Sequence, residues 1–364
     1  MTLRIKTFPS EFYSGSVKSD CAKVFENLVV MKASHKSIIS QSVGVLTSIV
    51  ALIWLAQLYD IKDLTEPLGS ADYRYVLLAV SISILDYILR SLRWRLLFLE
   101  HEPKSFINVF RALMQGYLFN MLLPARAGEL VRIHRLGKDE GISRGAVLGT
   151  VVVERVGDVT VLMMLLTAAF VFYPNIPEWF YYTGWLMAFI AVVATAVLAA
   201  IHFHGHRLKP AFTSLFSRFL AGNLLLKLKN SGSMFIEGLA GLFRVKSIVL
   251  FLIITMLLWA FAVLVAYYVS GSLGLWMNPV DLLFVMLVIS AGTMIPSSPG
   301  YIGVYELVGV AGLELVGISG GVALSFIVML HAVTILVPSV IGSLCLLKRT
   351  EKSPVISEQG YGKE

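Results

Sequence analysis

The run LLPARAGELVRIHRLGKDEGISRGAVLGTVVVERVGD, residues Leu122–Asp158, decides how the rest of this chain is read. It places a Pro/Gly break and a dense set of arginines, glutamates and aspartates between two apolar segments. A charge at membrane depth costs roughly 2.5–3.5 kcal/mol on insertion scales, so such side chains normally face a cavity or a partner. The stretch is therefore the expected working centre.

Around it lies a chain of 364 residues that is 57% hydrophobic and 15% charged, with a mean hydropathy of +0.78. That composition falls outside the soluble range and indicates a polytopic all-α membrane protein. The formal charge of +7 is spread over loops between apolar runs. It reads as cytoplasmic loop charge, not as a nucleic-acid surface, so no nucleic-acid partner is expected. Cys21 and Cys345 are too few and too far apart for a disulfide framework.

Runs close to the roughly 20 residues that span a bilayer occur at Ile38–Leu58, Tyr75–Leu92, Val147–Phe172, Thr183–Ile201, Ile248–Ser270 and Val322–Leu347. Six full crossings follow. Two further apolar pieces, Phe106–Leu123 and Leu282–Ile295, are interrupted by Pro124 and Gly128 in one case and by Pro296, Pro299, Gly300 and Gly303 in the other. Proline removes a backbone donor and clashes with the preceding turn, so each piece is read as the first limb of a re-entrant hairpin.

Lysine and arginine are concentrated in 1–37, 90–104, 126–144 and 207–246 and nearly absent from 59–72, 173–182 and 271–279. By the positive-inside rule the first group is cytoplasmic, as are both termini. The first hairpin then dips from the inside and the second from the outside. The chain divides into a polar tail (1–37), a membrane domain (38–349) and a second tail (350–364). Within the domain lie repeat cores at 106–172 and 280–347 and an amphipathic cytoplasmic insert at 203–247.

An internal repeat supports the division. Gly141-Ile142-Ser143 recurs as Gly317-Ile318-Ser319, 176 residues later, and Glu129-Leu130 recurs as Glu306-Leu307. Oppositely oriented repeats place a substrate site between broken helices near the midplane.

Several polar side chains are candidates for that site. Glu154 and Asp158 share a helix face, and Arg155 can reach Asp158 three residues on. Asp86 and Arg90 repeat the spacing near the inner end of the second span. Arg90 and Arg93 are most simply read as snorkelling to the interface, where the adjacent Trp94 also fits. Arg126, Arg132 and Arg135 follow the first break, where guanidinium groups and an exposed helix N-terminus suit a phosphate. The second break offers Ser297, Ser298, Tyr301, Tyr305 and Glu306 but no basic side chain. His331 stands 176 residues after Arg155 and would be buried mid-span. Ser319 and His331 lie too far apart along one helix to act as nucleophile and base. His202, His204 and His206 read as an interfacial cluster, so no metal and no other cofactor is expected, and no catalytic motif is seen.

The segments Phe119–Val159, Ile295–Glu306 (IPSSPGYIGVYE) and Leu89–Phe98 (LRSLRWRLLF) together resemble the transmembrane, flippase-like family of lysylphosphatidylglycerol synthetases. Related members include archaeal proteins of dolichol-linked glycosylation and hopanoid-associated membrane proteins. The family's polar pattern falls on Arg90, Arg93, Trp94, Pro124, Arg126, Gly128, Glu129, Arg132, Glu154, Arg155, Asp158, Pro296, Pro299, Gly300, Gly303 and Glu306. His331 sits where an arginine is common. The soluble aminoacyl-transferase domain of the full synthetases has no counterpart here. The resemblance implies a non-enzymatic flippase-like protein of the cell membrane that moves an anionic or isoprenoid-linked lipid. Arg126, Arg132 and Arg155 would then contact the head, and Glu129, Glu154 and Asp158 would balance or gate it. The alternative is an accessory subunit for a separate lipid-modifying glycosyl- or aminoacyl-transferase. Neither reading fixes the oligomeric state.

Overall fold

The computed structural model describes residues 35–98, 105–123, 127–172, 245–293 and 298–347, with isolated positions between 182 and 196. Pro124, Arg126, Pro296, the insert 203–247, the 202–206 histidines and most of the span expected at Thr183–Ile201 lie outside them. Among the described residues there are ten α-helices, one 3-10 turn and no strand. They are α1 (His35–Leu58), α2 (Ile61–Gly69), α3 (Tyr73–Arg95), α4 (Phe106–Leu122), α5 (Gly128–Glu140), α6 (Arg144–Phe172), α7 (Val245–Ser272), α8 (Pro279–Gly292), the 3-10 turn Pro299–Tyr301, α9 (Val304–Leu315) and α10 (Gly321–Leu347).

Tyr73–Arg95, Val249–Ser272 and Gly321–Leu347 are long and apolar enough to cross a bilayer. The distribution of side chains is the reverse of a soluble protein's. Leu77 is 67% exposed and Leu344 58%, while Arg93, Arg132 and Glu154 are 1%, 3% and 0% exposed. Apolar surfaces face outward and charge is drawn inward, as a lipid solvent demands.

Both breaks expected from sequence interrupt the helices, by different means. α4 stops at Leu123, whose extended backbone (φ −111°, ψ 143°) is the conformation a following proline enforces. The second break runs through the 3-10 turn, where Gly300 (φ 72°), Tyr301 (φ 60°) and Gly303 (φ 87°) all take left-handed backbone. The linker 59–72, read as a plain loop, holds α2. Asp60 caps this helix in a reciprocal box with Asp63, a signal that its mixed charge and Pro67 obscured.

Each break joins two antiparallel helices. In the first hairpin Asn108 Nδ2 donates to Glu140 Oε1 at one end (2.6 Å). At the other end Gly128 lies against the backbone of Gly116 and Asn120 so closely that a Cβ there would overlap the Gly116 carbonyl. In the second hairpin Gly292 faces Val308 and Gly312 faces Val288. Gly116 and Gly292 stand 176 residues apart, the offset of the repeat. Helices of 17, 13, 14 and 12 residues run at about 1.5 Å per residue. Each is shorter than the roughly 30 Å hydrocarbon core.

The two halves interlock. α10 seats on α4 through Gly342, where a Cβ would lie 2.7 Å from the Met114 carbonyl, and Gln115 Nε2 donates to the Cys345 carbonyl (3.1 Å). Leu162 and Leu166 of α6 pack on Phe284, Leu287 and Val288 of α8. α3 lies along α7.

Candidate functional site

Glu154 sits in α6 with no exposed surface, and three arginines from three helices converge on it. Arg93 of α3 approaches Oε1 at 3.2 Å, Arg132 of α5 approaches Oε2 at 2.9 Å, and Arg155 of α6 lies 3.3 Å from Oε1. Arg93 also donates to Asp158 (2.5 Å) and to Thr255 Oγ1 of α7 (2.9 Å). Arg155 in turn pairs with Asp158 (3.6 Å) and with Glu129 of α5 (3.4 Å). Three guanidinium groups thus meet three carboxylates, and the cluster is formally neutral. Aromatic faces complete the shell: Arg93 lies 4.9 Å from the Phe251 ring centroid and Arg132 4.9 Å from that of Trp94. Trp94 Nε1 donates to Thr150 Oγ1 (3.1 Å).

This corrects the sequence reading at two places. Arg93 and Trp94 do not reach an interface; both are buried. Arg132 is no solvated loop residue but an inner member of the cluster. Asp86 and Arg90 do pair, at 2.6 Å, and Arg135 pairs with Asp139 (3.0 Å). The predicted contact of Arg155 with Asp158 is present.

One edge of the cluster opens on a cavity of about 130 Å³, lined by Tyr117, Asn120, Glu129, Arg132, Arg155 and, from the second half, Tyr301. That volume is about four times a water molecule's share of the liquid. Nε and Nη2 of Arg132 and Oδ1 of Asn120 are buried and have no hydrogen-bond partner among the described residues. The Arg155 side chain keeps 34% of its surface exposed. The cavity thus combines buried, unspent guanidinium donors with two tyrosines. Tyr117 and Asn120 escaped the sequence reading, although a polar residue one turn before a break was the available signal.

The second half carries a smaller polar centre. His331 of α10 is 4% exposed. Its Nδ1 lies 2.5 Å from Glu306 Oε1 and its Nε2 lies 2.9 Å from the Gly300 carbonyl oxygen. Glu306 Oε2 accepts from the Gly303 N–H (2.7 Å), and the Tyr305 ring stacks on the imidazole with centroids 3.9 Å apart. Glu306 and Tyr305 are therefore engaged inside the protein. The repeat extends to this contact: Glu129 with Arg155 and Glu306 with His331 are the same pair of positions, each joining the first turn of one short helix to the middle of the next long one. No group of side chains able to hold a metal occurs among the described residues.

The family described as the lysylphosphatidylglycerol synthase TM region matches residues 41–342, which include every residue of both centres. The chain belongs to this family. Among its relatives is a UPF0104 membrane protein of Pyrococcus horikoshii, 24% identical over 83% of this chain and 94% of its own length. Another, from Methanothermobacter thermautotrophicus, is 24% identical over 79% of this chain and 88% of its own. A third, from Methanocaldococcus jannaschii, is 31% identical over 32% of this chain and 34% of its own. No solved structure matches.

Proposed function

We propose that this chain moves a lipid with an anionic head, or an isoprenoid-linked phosphate, between membrane leaflets. The observation that carries the reading is the cavity at which the two breaks meet, with Arg132, Arg155 and Glu129 on one side and Tyr301 on the other. A space of about 130 Å³ is well below the roughly 300 Å³ of the smallest ordinary ligand sites. It accommodates a phosphate and little more, leaving the tail in the bilayer. Arg132 supplies donors that have no other use, and a guanidinium is the side chain best matched to phosphate oxygens. Short helices entering from opposite sides would let such a head pass the midplane in two steps. The protein would lie in the cell membrane with both termini cytoplasmic, and would carry out no covalent chemistry.

The test is leaflet exchange of fluorescent phosphatidylglycerol in liposomes holding the full chain. Exchange should rise above that of protein-free liposomes and fall about tenfold in Arg155→Ala, whose removed side chain is the half-exposed one. Folded protein that speeds no exchange of any native lipid would sink the proposal. The neutrality of the six-charge cluster favours a second reading, a membrane anchor for a lipid-modifying transferase. A transferase that co-purifies with the chain, with lipid distribution unchanged in Arg155→Ala, would establish it.

A further inference from the structure

His331 has two hydrogen-bonding neighbours, and both are acceptors. The Gly300 carbonyl can only accept, so Nε2 carries a proton. On the other side Nδ1 faces a carboxylate oxygen of Glu306 at 2.5 Å. A neutral imidazole opposite an ionised carboxylate would set two lone pairs against each other at that distance, so one proton lies between them. The pair therefore holds two protons and is neutral, whether written as imidazolium with carboxylate or imidazole with carboxylic acid.

Loss of the shared proton to water changes this. Nε2 keeps its proton, Nδ1 becomes a bare lone pair, Glu306 stays ionised, and the pair carries one negative charge with no cation beside it. Repulsion and the cost of burying that charge then oppose the contact. The contact spans the second break: His331 ties α10 to Gly300 in the 3-10 turn and to Glu306 in the first turn of α9, and Glu306 holds Gly303. Opening it frees all three. The repeat-related contact of Arg155 with Glu129 has no such exit, because a guanidinium does not lose its proton in a protein.

The surroundings leave the pair to itself. α9 brings only Tyr305 besides Glu306, and the 3-10 turn brings Tyr301. From α3, Tyr87 donates to the Thr334 carbonyl (3.4 Å), with the mutually paired Asp86 and Arg90 on the same helix. Tyr117 of α4 stacks on Tyr87. α2, with Asp63 and Glu66, meets α10 earlier, at Gly321 and Ser325. Near His331, α7 offers Ser272, on Met329.

We propose that His331 and Glu306 form a proton-binding site that latches the second break, so that the break opens when one proton leaves. Resting on the transport reading above, the consequence is that lipid passage through the second half is coupled to a proton, whereas the first half is insensitive to it.

The test uses the full chain, labelled with ¹⁵N-histidine, in nanodiscs of phosphatidylethanolamine and phosphatidylglycerol. The imidazole signal missing from His331→Arg is that of His331. It should show two N–H groups at low pH and one at high pH. Over the same interval amide exchange in 298–306 should rise about tenfold per pH unit, as mass action on one proton requires. Glu306→Gln, whose amide can donate to Nδ1, should move the step to lower pH. In His331→Arg the segment should stay protected throughout. A His331 with one N–H at every pH, or protection in 298–306 that ignores pH in the wild type, overturns the site. Fluorescent phosphatidylglycerol exchange in liposomes separates the two ideas. No exchange at any pH, with the signals as expected, removes transport and leaves the latch. Exchange with the same pH profile in wild type and His331→Arg removes the coupling and leaves transport.

Discussion

In the first half Glu129 meets Arg155 across α5 and α6; in the second Glu306 meets His331 across α9 and α10. The positions are equivalent and the chemistry is not. The first contact belongs to a cluster of six charges, open at one edge to a cavity. The second stands alone, buried, and its cation is conditional. The comparison teaches how a duplicated architecture can divide labour: one copy keeps permanent charge beside the cavity, and the other keeps a link that a proton can break. The sequence reading gave the second half hydroxyls and a glutamate only; with His331 in the contact, both halves pair that glutamate with a cationic partner.

The largest effect should come from removing the acid on which the first half converges. Glu154→Leu leaves Arg132 without its carboxylate and Arg93 with only one, and breaking a buried pair costs about 3–5 kcal/mol. Thermal unfolding in detergent should show it as a large fall in Tm; an unchanged Tm would mean that the cluster holds nothing together. Glu306→Gln should cost less, about 1–2 kcal/mol, because the amide can still accept from Gly303.

Backbone contact distinguishes the halves next. Gly128→Ala drives a methyl into the Gly116 carbonyl, where nothing can rotate away, and should cost about 1–3 kcal/mol. Gly292→Ala meets only the Val308 side chain and should cost visibly less in the same melt. Equal losses would break the distinction.

Arg155→His would give the first half the labile partner of the second. Leaflet exchange, insensitive to that position in the wild type, should acquire a second pH-dependent step. Its amplitude should be about tenfold, equivalent to about 1.4 kcal/mol. A profile identical to wild type would show that the two contacts are not functional equivalents.

The smallest effects test the repeat itself. Gly141 (φ 71°) and Gly317 (φ 86°) both take left-handed backbone, and an added Cβ at either meets open space. Alanine at each should therefore cost about 1 kcal/mol from conformation alone, and by the same amount at both.

Much of the fold was legible because its signals are local. Apolar runs announce the long helices, and Pro/Gly clusters announce the breaks. α2 was not legible, since its charges and Pro67 resemble those of a loop. The site was legible in its parts and not in its connections. The approach of Arg155 to Asp158 follows from helix spacing, and so does the pair of Asp86 with Arg90. That Arg93 turns inward depends on Phe251 and Thr255, which α7 delivers from far along the chain. His331 and Glu306 were each singled out, and their offsets matched Arg155 and Glu129; their contact becomes evident only once α9 and α10 are seen side by side.

The burial of Arg93 also sets a schedule for biogenesis. It reaches Glu154 across 61 residues of chain, so α3 leaves the ribosome well before its neutralising partner exists. At roughly 5–20 residues per second, synthesis of that interval takes about 3–12 s. Throughout it an unpaired guanidinium must be kept out of lipid. α3 is thus obliged to wait beside the insertion machinery until α6 arrives, and the segments of the first half enter the membrane as one packet.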